Sequence, residues 1–279
     1  MNWLRRSARW IAVTLGVIVL TSMTVDATLA PNGFSQSALG ILASKTVPRA
    51  QCPDGMTLIS NAEKKLCVDI FEVSPGDRCD IKVVSSVFDT RANNEQQACQ
   101  PMSQDNAHPW GYVTEQQSKE LCARAGKRLP TNAEWYQFAL GTPDPKTNSP
   151  CNIHGTDIVN TKSDGQCVNG YGIHDAIGNV WEWVDGSVQN GSFDGKQLPE
   201  SGYVVSTDNN GVATLTHSDT PNQDFHNDYF WSDKIGEYGV LRGGYYASGE
   251  DGGLYSIQAK TAMSQASAAI GFRCVLTLN

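Results

Sequence analysis

Apolar residues alternate, or recur at helical spacing, only in short and separated segments of this chain. Residues 66–73 alternate well enough to predict a strand, and a Pro-Gly pair follows them as a turn. Three further strands are predicted at residues 180–184, 240–242 and 270–278. In the last of these, Phe272, Cys274 and Leu276 would share one face, because side chains alternate along a strand.

Two short helices carry clear start signals. Thr114 and Thr131 each begin a capping box, in which the Thr and a Gln or Glu three residues later satisfy free backbone N–H groups. Gly126 and Gly141 are placed to end these helices. The apolar residues at helical spacing in the second helix are Trp135, Phe138 and Ala139. No other helix is predicted.

Residues 186–239 are dense in Gly, Asn, Asp, Ser and Thr and lack the apolar periodicity that a separate core would need. Predicted strands flank this segment on both sides. We therefore expect it to belong to the same domain as its neighbours. Short strands, few helices and long loops together predict an irregular α+β domain.

The first thirty residues have the pattern of a secretory signal. Three arginines precede an uncharged apolar stretch at residues 10–25, and small residues follow at Ala27 and Ala30. An uncleaved membrane anchor is the alternative. Residues 31–51 are rich in Ser, Ala, Gly and Pro and predict a linker, which places the folded domain at residues 52–279. We therefore expect an extracytoplasmic protein that touches a membrane only through a possible N-terminal anchor.

Composition excludes two classes of protein. With 279 residues and 40% hydrophobic content, the chain has enough apolar side chains to form a core, which excludes a disordered protein. Its formal net charge of −8 argues against a protein that binds a nucleic-acid backbone, because no surplus of Lys and Arg exists to displace counterions.

All eight cysteines lie beyond the predicted signal, which predicts four disulfides in an oxidising compartment. Eight cysteines allow 105 connectivities. Neighbours in sequence favour Cys52–Cys67, Cys79–Cys99 and Cys151–Cys167, which would leave Cys122–Cys274. No Cys-x-x-Cys pair or His at ligand spacing indicates a zinc site.

Four separated motifs resemble the formylglycine-generating enzyme family, also called the sulfatase-modifying factor family. They are GKRLPTNAEW at 126–135, YGIHDAIGNVWEW at 171–183, LRGG at 241–244 and GFRC at 271–274. The resemblance implies a variant of the C-type lectin fold, here α+β and loop-rich with short strands, two short helices and disulfides. It also supports the Cys122–Cys274 bridge, because relatives with cysteines at these two motif positions pair them.

The resemblance further implies structural calcium. One site would use side chains and carbonyls of Asp175, Gly178, Val180 and Glu182, and a second would map to Asn152, Ile153 and Asp164. A hard cation needs convergent oxygens, which carboxylates at both ends of a turn supply. The alternative is an Asp that caps a turn and a Glu that pairs with an Arg.

One departure from the family pattern bears directly on activity. The oxidase chemistry of the formylglycine-generating enzyme uses two cysteines after the Arg-Gly-Gly motif, which bind copper as thiolates. This chain has Ser248 and Gly253 at those positions. We therefore expect no copper and no formylglycine generation.

Two functional hypotheses follow. The first is a protein that binds an unknown extracellular or cell-surface ligand, because residues 242–273 resemble the C-terminal region of variable proteins of diversity-generating retroelements. The contact residues would be Tyr245, Tyr246, Ser248, Glu250, Asp251, Tyr255 and Gln258. Tyr supplies stiff contact area and short polar residues adapt their hydrogen bonds, as in a recognition surface.

The second hypothesis is an extracytoplasmic oxidoreductase of the same family with other catalytic residues. Glu250 or Asp251 would act as a base near Tyr246. A further group of aromatic and arginine residues is predicted to pack the loops together rather than to catalyse. Its members are Arg128, Trp135, Trp181, Trp183, Arg242 and Arg273.

Overall fold

The computed structural model describes residues 52–60 and 65–278, and the described residues lie within the unit Cys52–Asn279. The predicted signal and linker at residues 1–51 lie outside the described residues. Within the described part of the chain, no helix has the length and apolar character needed to cross a bilayer.

The described strands and helices are short. The strands are β1 Met56–Ser60, β2 Lys65–Asp69, β3 Val73–Pro75, β4 Pro101–Ser103, β5 Trp181–Gln189, β6 Ser192–Phe193, β7 Lys196–Gln197, β8 Gly202–Thr207, β9 Ala213–His217, β10 Tyr229–Ser232, β11 Glu237–Arg242, β12 Ile257–Thr261, β13 Ile270–Phe272 and β14 Val275–Leu278. The helices are α1 Val87–Glu95, α2 Glu115–Arg124 and α3 Asn132–Ala139.

One large mixed sheet organises the domain. Its strands run in the order β7-β6-β5-β11-β12-β10-β8-β9, and β13 pairs with β5. The β10–β12 and β13–β5 pairs are parallel, whereas β11 pairs antiparallel with both β5 and β12. Elsewhere in the described residues, β1-β2-β14 form a small sheet and β3 pairs with β4.

The two faces of the large sheet have different surroundings. Arg242, Ile257 and Phe230 are register partners across neighbouring strands and point into the main hydrophobic core. On the opposite face, the β5 end packs against a second core cluster that includes Trp183. Farther along that face, Trp231 of β10 is only half-buried. Part of the sheet therefore remains open to solvent.

The two predicted helices are confirmed. Thr114 and Thr131 form the expected capping boxes at the N-termini of α2 and α3. Both helices bury the residues on their core-facing side. These are Glu115, Ser118, Leu121 and Cys122 in α2, and Asn132, Trp135, Phe138 and Ala139 in α3.

The prediction of only two helices is wrong, because α1 is a third. Its N-cap is Ser86, whose side chain accepts a hydrogen bond from the Asp89 N–H. The helix buries polar Thr90 and Asn93 and leaves Phe88 73% exposed. Apolar periodicity could not reveal a helix whose buried side is polar.

Two strand predictions also need correction. Residues 270–278 form β13 and β14, which belong to different sheets. Arg273 and Val275 are as deeply buried as Phe272 and Cys274, while Leu276 is half-buried, so the predicted single face does not exist. The strand predicted at 66–73 ends at Asp69, where the chain turns before β3.

The predicted membership of residues 186–239 in the main domain is confirmed. Strands β6 to β10 lie in this segment and join the large sheet. Val188, Phe193 and Val204 from this segment are buried in the main core. The segment therefore extends the sheet instead of folding around a core of its own.

Four disulfides join the eight cysteines, in the pairs expected from the sequence. They are Cys52–Cys67, Cys79–Cys99, Cys122–Cys274 and Cys151–Cys167. The Cys122–Cys274 bridge ties α2 to the link between β13 and β14, across a separation of 152 residues. The disulfides indicate an oxidising compartment. Together with the strands and loops they form a loop-rich α+β, C-type-lectin-like fold.

Candidate functional site

A continuous row of aromatic side chains crosses the open part of the large sheet. We name it the aromatic face, and it consists of Tyr203, Tyr229, Trp231, Trp181, Tyr245 and Tyr246, in that order. Ring centroids of successive members lie 4.8 to 6.5 Å apart. Trp181 is 7% exposed, and the other five rings are half-buried. Edge-to-face and offset contacts of this kind hold aromatic rings in defined orientations.

Strand alternation explains why these rings meet. Tyr229 and Trp231 flank Phe230 on β10, so they point away from the core that buries Phe230. Tyr229 is the register partner of Tyr203 on β8, which brings the two rings to the same side. From the other direction, Tyr245 stacks on Trp181 of β5 with an interplanar angle of 26°.

Gln258 lies within this surface. It is the register partner of Trp231 on one side and of Leu241 on the other. Its Oε1 atom is buried and has no hydrogen-bond partner among the described residues. A buried carbonyl oxygen without a donor is costly, so Gln258 Oε1 is an unsatisfied acceptor beneath the rings.

Two carboxylates follow Tyr246 closely in the chain. Glu250 and Asp251 are in a short 3₁₀ helix, Gly249–Asp251, and the Asp251 carbonyl accepts a hydrogen bond from Ser256 Oγ. Burial raises the pKa of Tyr203, and the negative charges of Asp251 and Glu250 raise it further. Glu250 itself lines an open groove with Lys146 and His226.

The residues predicted to contact a ligand divide into three groups. Tyr245, Tyr246 and Gln258 belong to the aromatic surface, and Glu250 and Asp251 lie in the 3₁₀ helix that follows Tyr246. The remaining two, Ser248 and Tyr255, contact other parts of the domain.

Ser248 and Tyr255 make internal contacts. Ser248 Oγ accepts a hydrogen bond from the Tyr245 N–H at 2.8 Å and so shapes the turn that presents Tyr245. Tyr255 packs against Tyr136, Phe225 and His226, next to the main core. It lies in the turn before β12, and these ring contacts place it next to the main core.

The sequence pattern alone does not assign Tyr203, Tyr229 or Trp231 to a site. The available signal was the alternation at residues 229–231, where aromatic rings flank a central Phe. That pattern also fits an ordinary strand with both sides buried. Only the order of the strands shows that these rings join Tyr245 on one surface.

A buried ion cluster fixes the loop between the 3₁₀ helix and β12. Lys146 Nζ lies 2.8 Å from Asp144 Oδ1, 2.5 Å from Asp228 Oδ1 and 2.6 Å from the Gly252 carbonyl oxygen. The second oxygens of the two carboxylates accept the N–H groups of Leu254 and Tyr255. Burial, followed by the charge of Asp144, raises the pKa of Asp228 to about 7.

Gly253 lies directly against this cluster. A Cβ atom built there would be 2.2 Å from Asp228 Oδ1, 2.5 Å from Asp144 Oδ2 and 2.6 Å from Lys146 Nζ. Ser248 is nearby, because its side chain contacts the position of a Cβ built on Gly252. The chain therefore brings these two positions together but fills the space around Gly253 with charged side chains.

A second cluster of buried charged side chains surrounds Glu182 on β5. The Glu182 carboxylate accepts hydrogen bonds from Trp135 Nε1 at 2.7 Å and from Arg273 Nη2 at 2.8 Å. Glu72 is fully buried close to Asp175 and Glu182, and burial raises its pKa, followed by the charges of these two acids. Burial also raises the pKa of Asp175 to about 6. The predicted packing roles of Trp135 and Arg273 agree with this position inside the core.

The calcium positions predicted from the resemblance are engaged in internal contacts. Asp175 Oδ2 accepts the Lys162 N–H at 2.7 Å, while Glu182 binds Arg273. For the proposed second site, Asn152 and Asp164 line one open groove beside Cys151, and Ile153 is fully buried. Within residues 52–60 and 65–278, no three His, Cys, Asp or Glu side chains are grouped to hold a metal.

Relatives that share sequence with this chain include two formylglycine-generating enzymes and one inactive homologue. A formylglycine-generating enzyme of Thermomonospora curvata is 36% identical over 98 residues, which is 27% of this chain and 32% of the relative. The formylglycine-generating enzyme of Bos taurus is 33% identical over 99 residues, or 28% of this chain and 26% of the relative. An inactive C-alpha-formylglycine-generating enzyme 2 of Bos taurus is 27% identical over 123 residues, or 36% of this chain and 40% of the relative. The aligned segments thus span well under half of each relative.

Solved structures with a similar arrangement include the Major Tropism Determinant P3c variant. It has a TM-score of 0.45 and 18% identity, over 82% of this chain and 54% of that chain. Treponema denticola variable protein 1 has a TM-score of 0.42 and 16% identity, over 78% of this chain and 90% of that chain.

The broadest match is to a protein family. The model of the sulfatase-modifying factor enzyme 1-like domain matches residues 57–278, which is most of the chain. This protein therefore belongs to the sulfatase-modifying factor family.

Proposed function

We propose that this protein binds a ligand outside the cytoplasm through its aromatic face and does not generate formylglycine. The observation that carries the proposal is the row of six contacting rings, from Tyr203 to Tyr246, on the open side of the sheet. Aromatic rings with defined orientations supply large contact area at low conformational cost and are enriched at binding hot spots.

The state of the cysteines supports the absence of oxidase chemistry. All eight are in disulfides, so the chain has no free thiol to bind a soft metal ion. At the positions that the family resemblance assigns to copper thiolates, Ser248 holds a turn and Gly253 adjoins the Lys146 ion cluster. An oxidoreductase that uses Glu250 or Asp251 as its base is the less supported alternative, because no structural observation singles out a reaction centre there.

A selection experiment tests the binding proposal. Peptides selected from a random phage-displayed library on the wild-type protein should lose at least about tenfold in affinity for Trp231→Ala and for Tyr246→Ala, because hot-spot aromatics carry most of the binding energy. Phe88→Ala is the matched control, since Phe88 is an exposed ring on α1. Selected peptides whose affinity is unaffected by Trp231→Ala and Tyr246→Ala would contradict the proposal. Thermal unfolding should first show that each variant remains folded.

We further propose that calcium stabilises the domain. The acids Glu72, Asp175 and Glu182 are buried close together, and Arg273 is the cation that acts on all three among the described residues. These side chains do not form a ready-made group of metal ligands, but their negative charge exceeds the single positive charge of Arg273, and a hard cation with oxygen ligands would balance it. Asp175 and Glu182 would hold the ion with the carbonyls of Gly178 and Val180, and the ion would supply positive charge that the cluster lacks.

Calcium should raise the melting temperature, and a chelator should lower it. Asp175→Asn should remove most of this gain, and it is a better test than a Glu182 variant because Glu182 also binds Arg273. The positive φ of Asp175, 54°, is one that Asn tolerates. Asp105→Asn serves as a control, because Asp105 is an exposed partner of Lys162. If neither calcium nor the chelator changes the melting temperature, the proposal is refuted.

A further inference from the structure

The polar atoms of the aromatic face have no partners within the domain. Its four tyrosine hydroxyls and two indole N–H groups make no hydrogen bond to any described residue. The core tryptophans differ, because Trp110, Trp135 and Trp183 each donate their indole N–H to an internal acceptor at 2.7 to 3.1 Å. The unused donors are therefore a property of this surface.

These donor groups also reach solvent. A buried donor without a partner is costly, and none of the six groups is in that state, even on Trp181 with its 7% exposure. The orphan acceptor Gln258 Oε1, by contrast, is buried. Exposed Lys260, on the same side of β12 as Gln258, adds a further donor. An indole N–H only donates and a hydroxyl donates or accepts, so the accessible groups of this face are weighted toward donors.

Nearly perpendicular ring pairs shape the surface. Successive pairs along the row meet at 81°, 88° and 74°. These pairs are Tyr203 with Tyr229, Trp231 with Trp181, and Tyr245 with Tyr246. Two rings at right angles enclose a slot with apolar walls, whereas coplanar rings would form a flat platform. A matching ligand must therefore bring compact apolar groups for the slots and acceptors for the donors.

A proline-rich chain in the polyproline II conformation has both properties. Its backbone makes no internal hydrogen bonds, so its carbonyl oxygens are available as acceptors, and proline has no backbone N–H that would need one. Its pyrrolidine rings are compact and apolar. The conformation is also formed before binding, which lowers the entropic cost of docking in an aromatic groove.

On the basis of the proposed function, we propose that the aromatic face binds a proline-rich segment of a protein partner in the polyproline II conformation. Proline rings lie in the slots between perpendicular rings. The carbonyls of the segment accept hydrogen bonds from the Trp231 indole and from tyrosine hydroxyls such as that of Tyr229.

Other ligands fit the face less well. An ordinary peptide brings one N–H donor for nearly every carbonyl, and a sugar hydroxyl also adds a donor, so both leave donors facing donors. The formal net charge of −8 disfavours the approach of an anion.

Matched peptides test this proposal on the purified protein by calorimetry. A capped peptide of eight L-prolines is compared with its D-proline mirror image and with a capped Gly-Ser repeat of the same length. We expect the L-proline peptide to bind at least about tenfold more tightly than the Gly-Ser peptide, because the Gly-Ser chain is flexible and carries N–H donors. The D-proline peptide should bind several-fold more weakly than the L-proline peptide. Salt should change the affinity little, because these peptides are uncharged.

Variants that keep a ring but remove a donor locate the binding. Trp231→Phe and Tyr229→Phe should each weaken the L-proline peptide several-fold, and Trp231→Ala should weaken it more. Tyr171→Phe is the matched control, because it removes a hydroxyl from an exposed ring that is not part of the aromatic face. Its affinity should equal that of the wild type. Thermal unfolding checks that each variant is folded.

The outcomes separate this inference from the proposed function. If the L-proline peptide binds no more tightly than the Gly-Ser or D-proline peptide, the proline inference is wrong. Phage-selected peptides without proline that depend on Trp231 would then leave the binding function intact. An L-proline peptide whose affinity is unaffected by Trp231→Ala and Tyr229→Phe binds elsewhere, which also overturns the inference. Cellohexaose is titrated in parallel, and Trp231-dependent binding of this sugar without binding of the L-proline peptide would make the face a glycan site instead.

Discussion

At the scale of single residues, this domain buries an unusual set of charges. Glu182 and Arg273 form a fully buried ion pair, and Lys146 is held between Asp144 and Asp228. Burying charges is costly unless partners satisfy them, and breaking such a pair leaves one charge uncompensated. Here the partners are oppositely charged side chains and backbone groups of neighbouring loops. The buried charges therefore balance one another and also hold these loops in place.

Asp228 should make stability depend on pH. Its pKa in the folded protein is about 7, above the usual value of 3.8, because burial disfavours the carboxylate. The folded state therefore holds this proton more tightly than the unfolded state. The contribution of Asp228 to the free energy of unfolding should be greatest near pH 4 and should fall as pH rises to 7.

Urea unfolding between pH 4 and pH 8, in the presence of a chelator, measures this effect. Asp228→Asn should unfold with a smaller decline in free energy across this interval, whatever its stability at any one pH. Asp54→Asn should keep the wild-type decline, since Asp54 is exposed. An unchanged pH slope in Asp228→Asn would show that the ion cluster stays ionised throughout.

At the scale of elements, signals encoded locally predict structure well. The capping boxes at Thr114 and Thr131 require only residues close in sequence, and both helices are present. The sequence neighbours Cys79 and Cys99 also pair as expected. Helix α1 was missed because Thr90 and Asn93 face inward and bond to distant loops, which no local apolar period records.

Long-range arrangements account for the rest of the differences. The chain leaves the large sheet after Phe272 and enters the small sheet at Val275, a crossing determined by strand pairing rather than by the pattern of residues 270–278. Tyr245 and Tyr246 directly follow the LRGG motif at 241–244, so the sequence alone predicts them as ligand contacts. Trp231 required the order β12-β10-β8 to be known.

At the scale of the whole molecule, disulfides hold together a domain with long loops. The Cys122–Cys274 bridge spans 152 residues, whereas Cys79–Cys99 spans 20. A cross-link that closes a longer loop restricts the unfolded chain more strongly. The bridge between α2 and the β13–β14 link should therefore contribute most to global stability.

Paired substitutions test this expectation. Replacing Cys122 and Cys274 by Ala should lower the free energy of unfolding by about 5 kcal/mol, against about 3 kcal/mol for Cys79 and Cys99, on the chain-entropy account. Denaturant unfolding under oxidising conditions gives both values. An equal or larger loss from the short loop would mean that local packing, and not loop closure, dominates.

The position of Gly253 limits how this protein could be converted to a metal-dependent oxidase. A thiol pair would require Ser248→Cys and Gly253→Cys. The second substitution would add a side chain where Lys146, Asp144 and Asp228 already meet. The graft would thus require remodelling of that charged trio, which also anchors the backbone at Leu254 and Tyr255. Two cysteine substitutions alone would therefore not create an open pair of thiols at this place.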